Sequence, residues 1–144
     1  MNNNEKGFTL IEIIITLSII AIMGAMAFPS YRGFYNEIAL KTTAQEIESA
    51  LHLAQQRSID ESREFCVELI GNEIRVREYV FGGKVVFLQE MSPKIKVSTE
   101  SLSRISYTRD GVSRYGAFVI TNGKNKAKVD TLIGTGRVRI SYFK

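Results

Sequence analysis

From Phe8 to Phe28 almost every position is apolar. Runs such as Ile13-Ile14-Ile15 and Ile19-Ile20 leave no polar face on a helix, so this is not the pattern of a surface helix on a soluble domain. A helix of about 21 residues extends about 31 Å, the thickness of a bilayer's hydrocarbon core, and the segment predicts a membrane-spanning helix. The helix is expected to continue, because Ile38 to Ile59 has few breakers and places Leu40, Ala44, Ile47, Leu51 and Ala54 at alternating spacings of four and three. That stripe predicts a face packed on a sheet. Between the two parts stands Pro29, which lacks an N–H and predicts a helix kink, with Gly33 adding local freedom.

After about Arg63 the period changes to two, and turn residues recur at short intervals. The predicted strands are Glu64 to Ile70, Glu73 to Val80, Lys84 to Gln89, Ile95 to Ser98, Arg104 to Thr108, Ala117 to Thr121, Lys126 to Ile133 and Arg137 to Phe143. They are separated by Gly71-Asn72, Gly82-Gly83, Asp110-Gly111, Asn122-Gly123 and Gly134-Thr135-Gly136. Short sequential connections favour hairpins and meanders. Pairing Gly134 opposite Arg137 would put Val129, Thr131, Ile133, Val138, Ile140 and Tyr142 on a core face, with Lys128, Asp130, Arg137 and Arg139 together outside and Leu132 left outward. The fold class is therefore α+β: a long N-terminal helix, membrane-spanning in its first half, packed on an antiparallel β-sheet domain. The divisions are residues 1–7, 8–28 for the spanning helix, 29–62 for its continuation and 63–144 for the β-rich head.

The net charge of +4 is unevenly spread. From Leu102 to Lys144 nine Lys and Arg face two Asp, whereas Ser30 to Ser101 is slightly acidic. Positive charge thus gathers at the C-terminal end. Cys66 is the one cysteine, so an intramolecular disulfide is excluded and packing must hold the head together. In its strand-like run it reads as a small, half-buried apolar residue. His52, the one histidine, reads as a surface or boundary residue, since nothing is spaced to complete a metal site with it.

Glu12 interrupts the apolar run, where an unpaired carboxylate costs about 2.5 to 3.5 kcal/mol or more at a bilayer centre, so it needs a partner or a proton. Here Lys6-Gly7-Phe8-Thr9-Leu10-Ile11-Glu12 resembles the class III signal of type IV prepilins and type II secretion pseudopilins. The resemblance implies cleavage by a prepilin peptidase between Gly7 and Phe8, N-methylation of Phe8, and pairing of Glu12 with the terminal amine of a neighbouring subunit. Such a pair is far less costly to bury than a lone charge. The family also has a kink-forming proline near Pro29. The leader Met1 to Lys6 carries only one lysine, so orientation follows from the resemblance more than from charge. An ordinary secretory signal cleaved after Ala25-Met26-Ala27 is the competing reading, and it would leave Phe28 as the first residue.

Toward the C-terminus, Ser106-Tyr107-Thr108-Arg109-Asp110-Gly111 and Gly136-Arg137-Val138-Arg139-Ile140 resemble the GspH/FimT group of minor pilins and pseudopilins. The implied function is a minor subunit at the initiating complex or tip of a type II secretion pseudopilus or type IV pilus. Its implied partners are other pilin or pseudopilin subunits, a prepilin peptidase and the cytoplasmic membrane, with the head outside and extractable into the fibre. The alternative is DNA binding during uptake. Lys124, Lys126, Lys128, Arg137 and Arg139 would contact phosphates without reading sequence, as implied by group members in which the Gly-Arg-x-Arg segment takes part in receiving DNA. The rival explanation for those charges is a solvated basic edge that deters strand pairing. No enzyme, cofactor, metal or small-molecule substrate is expected, because Gly134-Thr135-Gly136 leads into a strand instead of a helix and no nucleophile, base and orienting group form a set.

Overall fold

The computed structural model describes residues 8–113 and 115–143, and for residues 27–32 the backbone only. One helix, α1 (Leu10–Glu61), is followed by eight strands: β1 (Phe65–Ile70), β2 (Glu73–Glu78), β3 (Val85–Glu90), β4 (Lys96–Val97), β5 (Arg104–Tyr107), β6 (Gly116–Thr121), β7 (Lys126–Thr131) and β8 (Val138–Phe143). The chain divides into two compact units, residues 1–35 and 36–144.

In the first unit the described side chains of α1 are exposed on every side, Leu10, Ile11 and Ile14 among them. No stripe is turned to a core, as an all-round apolar sequence requires. Among the described residues no helix is long and apolar enough to cross a membrane. The structure therefore does not show the span predicted for Phe8 to Phe28. The position where a kink is expected, Pro29, lies within α1, where only the backbone is described.

In the second unit α1 buries Leu40, Thr43, Ala44, Ile47, Ala50, Leu51, Ala54 and Ser58, including all five positions of the predicted stripe. Alanine at three of these positions keeps the buried face of the helix narrow, while Leu40, Ile47 and Leu51 fill the core. Each large apolar side chain buried there contributes about 1.5 to 3 kcal/mol. The helix ends without glycine or proline: Ser62 takes a left-handed φ of 51°, and its N–H reaches Ile59 O.

The strands form two four-stranded antiparallel sheets, ordered β3-β2-β1-β5 and β4-β6-β7-β8, in keeping with the expected α+β class. Two meanders, β1-β2-β3 and β6-β7-β8, account for most of the pairing, but β5 returns to β1 and β4 to β6. Phe65, Val67, Ile74, Val76, Ile105 and Tyr107 from the first sheet and Phe118, Ile120, Ala127 and Val129 from the second join the α1 stripe in one core.

The β7–β8 register differs from the predicted one by two residues: Thr131 pairs with Val138, Val129 with Ile140, and Leu132 with Arg137. Because side chains alternate with period two, this slip keeps every residue on its predicted face but lengthens the loop to Ile133-Gly134-Thr135-Gly136. Ile133 leaves the strand and is 72% exposed, and Tyr142, near the end of β8, is 48% exposed, so neither is core. Leu132 is outward as predicted.

Cys66 is fully buried, not half-buried, since β1 is a central strand and the thiol lies opposite Arg77. Burial foremost, with the Glu68 carboxylate adding to it, raises its pKa. The thiol of the native protein is expected to resist a water-soluble disulfide reagent at pH 8 and to react fully after unfolding; fast reaction in the folded state would contradict this packing.

Candidate functional site

The predicted processing site begins with Gly7, which lies outside the described residues. Phe8 precedes the helix, non-helical and 85% exposed. Immediately after it, Thr9 and Glu12 form a reciprocal cap. The Thr9 N–H and Oγ1–H donate to Glu12 Oε2 at 2.9 and 2.8 Å, and the Glu12 N–H lies 3.4 Å from Thr9 Oγ1. Thr-x-x-Glu before an apolar run is a capping box, a signal present in the sequence but read there only as a charge in need of a partner. The first turn would otherwise leave its N–H groups unmet. Glu12 is thereby turned toward the residue that follows Phe8.

The five cations predicted as a cluster are spread over the β6-β7-β8 sheet. Lys124 sits in the β6–β7 turn, and Arg137 at the opposite end of the β7–β8 hairpin. Lys126 Nζ pairs with Glu100 at 2.9 Å and Arg139 Nη2 with Asp130 at 2.7 Å. Lys128 Nζ donates to the Tyr115 hydroxyl at 3.1 Å and lies over its ring; that bond foremost holds its ammonium pKa above the usual range. Asp130, expected on the outer face, is there but buried, because Arg139 directly across the ladder covers it. Two of the five charges are thus neutralised locally. Lys124 and Arg137 are exposed and face no carboxylate at ion-pair distance among the described residues. The outward Lys126, Lys128 and Arg139 do share one face, as the alternation requires.

The two C-terminal sequence motifs meet on one residue of α1, Gln55. Gln55 Nε2, from α1, donates to Gly111 O at 2.8 Å and to Thr135 O at 3.3 Å. Gly111 and Gly136 both have positive φ, and a Cβ on Gly136 would stand 2.3 Å from Gln55 Nε2 and 2.7 Å from Gly111 O. One side chain therefore ties both loops to the helix, and glycine at 136 lets them close on it. His52 is exposed, and among the described residues no group of three or more His, Cys, Asp or Glu is placed to hold a metal.

The N-terminal residues 2–28 match the family described as the prokaryotic N-terminal methylation motif. The type IV minor pilin FimU of Pseudomonas aeruginosa superposes with a TM-score of 0.61 at 14% identity, covering 75% of this chain and 92% of that one. The chain has the type IV pilin-like fold. The minor pseudopilin EpsH from the Type 2 Secretion System of Vibrio cholerae also shares the fold, with a TM-score of 0.57 at 12% identity over 71% of this pilin-like chain and 95% of its own. In sequence, the competence protein ComGD of Bacillus subtilis (strain 168) is 27% identical over 143 residues, 96% of this chain and 94% of that protein. A fimbrial protein of Pseudomonas aeruginosa is 38% identical, but over 60 residues, 42% of the pilin-like chain and 38% of its own.

Gln55→Ala is expected to destabilise the pilin-like head by about 1 to 2 kcal/mol through loss of one part-buried and one exposed bond to loop carbonyls. Gly136→Ala should cost more than Gly134→Ala, although both have positive φ, because only Gly136 is crowded. Urea unfolding of the variants checks both, and equal losses at 134 and 136 would contradict the junction.

Proposed function

We propose that the mature chain is a minor subunit of a type IV pilus or a type II secretion pseudopilus, held in the cytoplasmic membrane by residues 8–28 until it is drawn into a fibre. The observation that carries this reading is the Thr9–Glu12 pair inside the methylation motif. Cleavage between Gly7 and Phe8 by a prepilin peptidase would create an amine one residue from the Thr9 N–H that Glu12 already accepts from. N-methylation of Phe8 leaves that amine basic. In lipid, Thr9 shares the carboxylate's charge through two hydrogen bonds; in a fibre, the amine of a neighbouring subunit replaces or joins them. An ion pair with additional hydrogen bonds is the arrangement in which a buried charge is tolerated. The fold shared with a minor pilin and a minor pseudopilin supports a head that stands outside the membrane and contacts other subunits. Such a role needs no catalysis.

Glu12→Ala should leave membrane insertion unchanged yet strand a neighbour's amine at a cost of about 3 to 5 kcal/mol, so incorporation into sheared fibres falls steeply. Immunoblots of membrane and fibre fractions measure this, and normal incorporation would reject the role of Glu12. Sequencing of the mature N-terminus settles the processing: methylated Phe8 is expected, and a chain beginning at Phe28 would overturn the reading.

Among the machines that use such subunits, the likeness along nearly the whole chain to a competence protein favours DNA uptake. Direct contact with DNA would use the outward Lys124, Lys126, Lys128, Arg137 and Arg139, with Lys126 and Arg139 competing against their own carboxylates. If so, full-length protein in detergent binds duplex DNA at low salt, and Arg137→Gln reduces the salt slope by about one. Absence of binding at low salt would reject DNA contact while leaving the subunit role standing.

A further inference from the structure

The outer face of the β3-β2-β1-β5 sheet carries a charge arrangement that the reading above does not use. Glu68, on the central strand β1, is 5% exposed. It lies 2.6 Å from the Nε of Arg104 on β5 and 3.2 Å from the Nε of Arg77 on β2. One carboxylate thus sits between two guanidiniums, and the group keeps one net positive charge. The Arg77 Nε–H is buried and without a hydrogen-bond acceptor among the described residues. Arg104 also rests 5.3 Å from the ring centre of Tyr79.

Beside these arginines the β2–β3 hairpin ends in Tyr79-Val80-Phe81, all three exposed, with Phe81 entirely so. A run of exposed apolar residues at a hairpin tip is unfavourable in isolation and marks a contact surface. The tip is also held in place: Tyr79 N–H donates to Glu64 O at 2.7 Å, Gly83 N–H to Val80 O at 2.9 Å, and Gly82 takes a φ of 72°. A side chain at Gly83 would strike Glu78 O at 2.1 Å, so the turn has one way to close. Arg77, Tyr79, Val80, Phe81 and Arg104 enclose an open cavity of about 340 Å³.

We propose that this cavity is a docking site for a carboxylate flanked by an apolar side chain, presented by a segment of another protein subunit. The terminal amino groups of the arginines receive the carboxylate, and Phe81 with Val80 covers the apolar neighbour. A nucleic acid is disfavoured by the surroundings. The adjoining hollow carries Arg63 and Arg109 against Glu64 and Glu78, with Arg63 and Glu78 paired at 3.2 Å, so no basic track leads away for a polyanion to follow. One isolated positive spot beside apolar surface suits a single carboxylate. The identification of the partner as a fellow subunit rests on the subunit reading, whereas the chemistry of the site does not.

The test is an NMR titration of ¹⁵N-labelled full-length protein in detergent micelles with three probes: acetyl-Phe-Glu-Leu-amide, its Phe-Gln-Leu counterpart and hexathymidine. The Glu peptide should shift the Val80 and Phe81 amides saturably and bind at least about fivefold more tightly than the Gln peptide, a difference of about 1 kcal/mol. Phe81→Ser, at a fully exposed position that leaves folding intact, and Arg104→Gln should each abolish that preference. Glu68→Gln, which frees both guanidiniums from their internal competitor, should tighten binding of the Glu peptide, a gain that a purely structural triad would not give. Equal binding of the two peptides, no saturable shift at Phe81, or tighter binding of hexathymidine at these amides would each overturn the proposal. Any of those results leaves the processing and fibre-incorporation experiments free to succeed.

Discussion

The head exists because one face of α1, from Leu40 to Ser58, is covered by both sheets at once. With no disulfide available, burial of that stripe must offset the conformational entropy of ordering the strands. The substitutions that would damage it most are enlargements at Ala44, Ala50 or Ala54, each essentially without exposed surface. Everything that distinguishes the head lies on surfaces this packing leaves over: the Gln55 junction at one end, the outward cations of β7 and β8, and the arginine pocket of the other sheet.

Much of this was legible beforehand. The helical stripe was found because Leu40, Ala44, Ile47, Leu51 and Ala54 obey a helical period, and the strands because glycine-containing turns punctuate them. Their observed ends differ from the predicted ones by no more than two residues. What the pattern could not supply was long-range pairing. Nothing local tells β5 to return to β1 or β4 to lie beside β6, so the division into two sheets stayed hidden. The β7–β8 slip has the same origin, since faces are fixed by alternation but loop length is not.

The functional residues show a parallel split. Glu12 stood out as one charge in an apolar run and Phe8 through the prepilin resemblance, but the contact of Thr9 with Glu12 needed the capping geometry. The basic cluster looked uniform in sequence; in space, Glu100 and Asp130 quench part of it, and both partners lie far along the chain or across a ladder. Gln55 was not singled out within its helix segment, because its partners are backbone carbonyls 56 and 80 positions away.

The first part of α1 is apolar around its whole circumference, with the described side chains exposed in every direction. Such a cylinder has no preferred azimuth: turning it about its axis changes little of what it offers to surrounding hydrocarbon or to like helices. Glu12 breaks that degeneracy. A single charge on an otherwise neutral rod gives it a phase, so that in a bundle of like helices one side chain would set the rotational alignment.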